Sequence, residues 1–103
     1  MGLFAKFVDQ STDPPGKIHD LGAAIHLVAG GGISSAQAKT NLGLTGDEIT
    51  EWDALVATYQ ATGSGNTKIA EQNRYANMVE AGFLAAKSGY ITTEAQLKTL
   101  LGF

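Results

Sequence analysis

His19 and His26 stand seven residues apart, two turns along one helical face, and imidazole pairs are the usual starting point of a zinc site. A zinc site needs three or four ligands, most often with histidines spaced i,i+4, and no third ligand accompanies this pair. Two histidines on a partly exposed helix face account for the pattern, and no metal is expected. Asp47, Glu48, Glu51 and Asp53 crowd into one short stretch and could serve as paired carboxylates in acid–base chemistry. They also stand where a helix begins, and acidic side chains there complement the partial positive charge of the helix N-terminus. The dipole reading is favoured.

Other motifs fail on their chemistry. Placing Gly89 at the sixth position of an EF-hand loop puts Leu84, Ala86, Ser88 and Ala95 where calcium requires carboxylates. Gly30-Gly31-Gly32 follows a helix and lacks the Gly-Lys-Ser/Thr of a phosphate loop. Neither histidine sits in a nucleophile motif, and no nucleophile, base and orienting group assemble on paper, so the chain is read as non-enzymatic, without cofactor or small-molecule substrate. A helix-turn-helix reading has more to recommend it, with Ser34, Ser35, Gln37, Lys39, Thr40 and Asn41 as base readers. Phosphate contacts dominate nucleic-acid affinity, however, and Lys39 is the only cation on that helix. Nucleic-acid binding is therefore the alternative and not the leading reading.

The elements that would position these residues come from a duplication. Ile33-Ser34-Ser35-Ala36-Gln37-Ala38-Lys39-Thr40-Asn41-Leu42-Gly43-Leu44 returns as Ile91-Thr92-Thr93-Glu94-Ala95-Gln96-Leu97-Lys98-Thr99-Leu100-Leu101-Gly102-Phe103, with Glu94 inserted. Seven of the twelve aligned pairs are identical, and a glycine, Gly31 or Gly89, sits two residues before each isoleucine. What is retained is turn, cap and core, so the duplication is structural. Each unit reads as a longer helix, a glycine turn, a Ser/Thr-capped short helix and a Leu-Gly-apolar stop.

Apolar spacing predicts a helix over 17–29, a short one capped by Ser34 or Ser35, and a third over about 47–61. Thr45 and Glu48 have capping-box spacing ahead of that third helix. A fourth is predicted from Asn66 or Thr67 to about Lys87, with Ile69, Tyr75, Ala76, Val79, Phe83 and Leu84 inward. A fifth, capped by Thr92 or Thr93, would bury Leu97, Leu100 and Leu101. No segment alternates, so no sheet is expected. The fold class is all-α: a small bundle of four or five helices with an internal duplication and an N-terminal arm. Residues 1–16 are the arm and its proline-rich connector, and 17–103 the helical domain, with repeat units at about 17–44 and 74–103. The expected core is Ile25, Val28, Ile33, Leu42, Trp52, Leu55, Phe83, Ile91, Leu97 and Leu101, with Trp52 between the units.

The arm is the one feature for which function rivals structure. Leu3, Phe4, Phe7 and Val8 lie at helical spacing around Lys6, ahead of Pro14-Pro15. They suit either a staple onto their own domain or an anchor on a neighbour, and the expectation taken forward is a protein interface on a neighbouring subunit, with Phe4 and Phe7 as anchors.

Bulk properties agree with a life among proteins. The charged fraction is 17% against a usual value of about 25%. The net charge of −3, with seven scattered Lys and Arg, argues against an electrostatic nucleic-acid footprint. There is no cysteine, which removes disulfides and thiolate sites. No apolar run reaches transmembrane length, no signal-peptide core opens the chain, and Lys6 stands where a myristoylation motif wants Ser or Thr. Synthesis in the cytosol is expected, without membrane attachment.

The two repeated phrases, together with Leu44-Thr45-Gly46-Asp47-Glu48-Ile49 leading into Trp52-Asp53-Ala54-Leu55, resemble the small helical virion proteins of tailed bacteriophages. The resemblance implies a multi-copy structural component of head, neck, tail or fibre, located in the virion after synthesis in the host cytoplasm. It would bind neighbouring subunits as a homo-oligomer or larger assembly.

Overall fold

The computed structural model describes residues 2–9 and 14–103. Five α-helices follow one another: α1 (Pro14–Ala29), α2 (Ser35–Leu42), α3 (Asp47–Ala61), α4 (Lys68–Lys87) and α5 (Glu94–Leu101). A π-helical turn, Ala5–Asp9, precedes them, and a 3₁₀ turn, Gly65–Thr67, leads into α4. No strand occurs among the described residues. The all-α bundle is thus the observed architecture.

Local signals place most boundaries. Ser34 caps α2 by accepting the Gln37 N–H at 3.1 Å. Thr93 caps α5 in a full capping box with Gln96. Both α1 and α4 end in the same hydrogen-bonded turn. Gly31 N–H reaches Val28 O and Gly32 N–H reaches Leu27 O; in the second unit Gly89 reaches Ala86 and Tyr90 reaches Ala85. This six-residue closure requires a left-handed residue, supplied by Gly31 at φ +76° and Gly89 at φ +88°. The duplicated phrases therefore carry duplicated backbone geometry.

Three boundaries differ from the sequence expectation. Helix α1 starts at Pro14 instead of Lys17, because a first-turn proline gives up an N–H that no helical carbonyl would have accepted. The rest of the expected connector, residues 10–13, lies outside the described residues. The capping box at α3 forms by half. Glu48 Oε1 takes the Thr45 N–H at 3.0 Å, but the N-cap is Gly46 at φ +55°, which has no side chain to complete it. Helix α4 begins at Lys68, one residue late, because Gly65–Thr67 winds more tightly first.

Helices α1 and α4 form the central pair. His19 pairs with Glu80 and His26 with Asn77, so numbers rise along one helix while falling along the other: the two run antiparallel. Close approach depends on Gly22, where a Cβ would lie 2.0 Å from the Glu80 carboxylate. Helix α2 packs on α1, α5 on α4, and α3 touches α1, α2 and α4. The core gathers Ile18, Leu21, Ile25, Trp52, Leu55, Val79, Phe83, Leu97 and Leu101. Of the expected core, Val28, Ile33, Leu42 and Ile91 are only partly buried at its edge. Ile69 and Leu100, expected inside, are 74% and 47% exposed. Ile69 lies in the first turn of α4, next to the loop that leads into it.

Candidate functional site

The arm is the first sequence-predicted site to place. Leu3, Phe7 and Val8 are buried in the chain's own core, and Phe4 is partly buried against it. The Phe7 ring meets Phe83 edge-on at 6.1 Å between centroids, and Phe83 in turn stacks on Phe103, also at 6.1 Å. Polar ties hold the arm backbone: Leu3 N–H donates to Glu51 Oε1 at 2.8 Å, and Lys87 Nζ donates to Val8 O at 2.6 Å. Lys6 adds a bond to Gly43 O at 3.3 Å. In the single chain, with no neighbouring subunit present, the quartet is seated in cis. The physical reason is that each large apolar side chain left in water forgoes roughly 1.5–3 kcal/mol, and a seat lined by Phe83 and Glu51 lies within reach.

The acidic group disperses. Glu48 lies 3.8 Å from Lys6 Nζ, Glu51 faces Leu3 and Lys98, Asp53 holds Lys39 at 3.0 Å, and Asp47 lies in the first turn of α3. Lys98 is the most perturbed cation. Its 2.9 Å bond to Glu51 raises its pKa above the usual lysine value, burial works in the opposite sense, and the carboxylates of Glu51, Glu94 and Asp47 add to the rise. Its ammonium also stands 5.6 Å from the Phe103 ring centroid. A lysine held protonated in this way is a weak nucleophile and a good tie: it joins α5, α3 and, through Glu51, the arm.

The histidines do not converge. His19 Nδ1 is 2.7 Å from Glu80 Oε2 and His26 Nε2 is 2.9 Å from Asn77 Oδ1, so each is a cross-brace from α1 to α4. Among the described residues, no three metal-ligating side chains gather in one place. The residues named as base readers on α2 have other engagements. Ser35 accepts the Trp52 indole N–H at 2.8 Å, Gln37 bonds Asn41 at 2.8 Å, and Lys39 is neutralised by Asp53.

Two buried phenols complete the titratable groups. Tyr75 donates its hydroxyl to Leu101 O, and burial raises its pKa, opposed by a hydrogen bond with Thr58. Burial likewise raises that of Tyr59. Both stay neutral, and Tyr75 pins the C-terminal turn of α5 to α4.

Among the described residues a few large apolar side chains are left exposed. Tyr90 is 87% exposed, and Leu27 and Leu100 are each close to half exposed. A groove of about 320 Å³ runs between α1 and α2, with Ala24, Leu27, Ile33 and Leu42 along it and Asp20 and Asn41 at its polar margin. Sequence reasoning did not single out Tyr90 or Leu27. One signal was available: Tyr90 occupies the repeat position held by Gly32 in the first unit, so a bulky ring had been placed where a turn needs none.

Comparison with protein-family models, with curated proteins and with solved structures finds no match to this chain. Among the described residues, no helix is long and apolar enough to cross a membrane.

Proposed function

We propose that this protein is a non-enzymatic assembly component that binds neighbouring protein subunits through apolar surface, as a multi-copy element of a particle such as a phage virion. The observation that carries the reading is the exposure of Tyr90, Leu27 and Leu100 on a chain of low charge density. Tyrosine and leucine side chains left in water are recovered burial energy when a partner covers them, and aromatic residues are enriched at such interfaces. The rest of the fold supports the same role. Lys98, Glu51 and the two histidines brace helices against one another, giving a rigid body with its polar groups engaged internally. The virion setting is supported by the resemblance of the repeated phrases alone.

Sedimentation of the full chain over increasing concentration tests the reading, together with a search for the chain in purified particles of its source. The expected result is a mass above the 10.7 kDa monomer. A chain that stays monomeric at high concentration and is absent from particles overturns it.

A further inference from the structure

The duplication sends the same lysine from each short helix to α3. Lys39 of α2 meets Asp53 at 3.0 Å, and its repeat equivalent, Lys98 of α5, meets Glu51 at 2.9 Å. The two pairs differ in cover: the Asp53 side chain is 55% exposed and that of Glu51 only 12%. The arm lies against Glu51. Leu3 N–H donates to Oε1 at 2.8 Å, and Gly2 approaches so closely that a Cβ there would stand 2.1 Å from the same oxygen. One carboxylate therefore serves two elements, Oε1 for the arm and Oε2 for α5. Phe83, fully buried, does the same in apolar form: Phe7 of the arm meets it edge-on, and Phe103, just past α5, stacks on it. Toward α2 the arm sends an exposed bond, from Lys6 to Gly43 O at 3.3 Å.

We propose that the arm is a strap that locks the last helix, so that residues 2–9 and α5 open and close as one unit while α2 and the α1–α4 pair stay in place. This goes beyond the assembly reading and holds whether or not copies of the chain meet. An ion pair in open water contributes little, and its worth rises as water is excluded and the local dielectric falls. The seated arm excludes water from Glu51 and so strengthens its bond to Lys98. Lys98 in turn holds the carboxylate where Leu3 N–H reaches it. Neither element is long enough to stand alone, since α5 has eight residues and the arm a single five-residue turn. Each depends on residues that the other completes. Helix α5 also has ties of its own, Tyr75 to Leu101 O and Thr58 to Gly102 O, and the opening of the unit breaks both sets together. A partner that draws the arm out thereby loosens α5 and the half-exposed Leu100 that it carries.

Hydrogen exchange of single amides in the full chain, followed by NMR, tests the strap. Amides that exchange through one opening respond to a substitution by one common factor. In the arm the reporters are Leu3 N–H, bonded to Glu51, and Lys6 N–H, bonded to Gly2 O at 3.1 Å. In α5 they are Leu97 N–H and Gly102 N–H, bonded to Thr93 O at 3.3 Å and to Lys98 O at 2.7 Å. Lys98→Met keeps the stem and removes the charge. It is expected to speed exchange in the arm and in α5 by the same factor, about threefold or more. Phe7→Ala, applied from the arm side, is expected to speed Leu97 and Gly102 about tenfold or more. Ser34→Ala instead removes the cap of α2, where Ala38 N–H, bonded to Ser34 O at 3.0 Å, is the matched reporter. It is expected to speed Ala38 and leave the arm and α5 at parent rates. Should Phe7→Ala fail to fold, the other two variants decide. After Lys98→Met, a rise in α5 without the arm, or no rise in either, overturns the strap. So does a rise in both after Ser34→Ala, which means that the chain opens only as a whole.

Discussion

Trp52 has no exposed surface, and its indole N–H donates to the Ser35 hydroxyl at 2.8 Å across seventeen positions of sequence. It joins α3 to α2, and so the middle helix to the first repeat unit. Trp52→Ala empties a fully packed site and should cost about 3–5 kcal/mol. For a domain of this size each kcal/mol moves the melting temperature by about 4–8 °C, so the midpoint should fall by about 12 °C or more. The hydrogen bond can be separated from the packing because its two ends differ in exposure. Ser35 is half-buried, so after Trp52→Phe its hydroxyl can turn to water. Ser35→Ala instead leaves the buried indole N–H without an acceptor, a loss of about 1–3 kcal/mol from one small side chain. The double variant should recover about 0.5–1.5 kcal/mol relative to the sum of the singles. Urea unfolding followed by far-ultraviolet circular dichroism is the suitable assay, because Trp52 is the only tryptophan and fluorescence disappears with it. A Trp52→Ala cost below about 1 kcal/mol, or strictly additive singles, would refute the packing and the bond respectively.

Two further outcomes test the arm and the duplication. Deleting residues 2–9 should lower the melting temperature by several degrees, since burial of Leu3, Phe7 and Val8 outweighs the entropy of ordering the arm by a small margin. An unchanged melting temperature in a thermal scan would mean that the arm adds nothing to the core. Gly31→Ala and Gly89→Ala should each cost about 1–2 kcal/mol in the same urea assay, because both sites have open space for a methyl group but a left-handed backbone. Markedly unequal losses would show that the two turns are not equivalent.

The features legible in the chain were those fixed within a few residues of one another. A cap is an oxygen meeting an N–H two or three residues on, and a Schellman turn is a glycine closing six residues. Spacing alone therefore placed the turns at Gly31 and Gly89 and narrowed each cap to two neighbours, Ser34 or Ser35 and Thr92 or Thr93, of which the structure uses Ser34 and Thr93. The duplication, the absence of alternation and most helix spans followed from the same local rules. Where the sequence expectation slipped, the deciding interaction was again local but finer, as with the prolines that open α1 and the glycine that displaces the cap of α3.

Apolar pattern is less informative about destination, because the hydrophobic effect has no direction: it marks a side chain to be buried without saying against what. Leu3, Phe7 and Val8 carried the signature of an interface, and only the packed fold showed Phe83, Glu51 and Lys87 waiting for them in the same molecule. Ile69 and Leu100 carried the signature of core and lie at the surface, while Tyr90 carried no signature and is the most exposed large ring. The pairing of Lys98 with Glu51 joins residues on different helices, as does that of His19 with Glu80. By itself the sequence determined the helices, their caps and the repeated unit, since those depend on neighbours in the chain. The antiparallel α1–α4 pair, the seat of the arm and the groove between α1 and α2 were decided by tertiary structure, because each depends on which surfaces meet once the helices have formed.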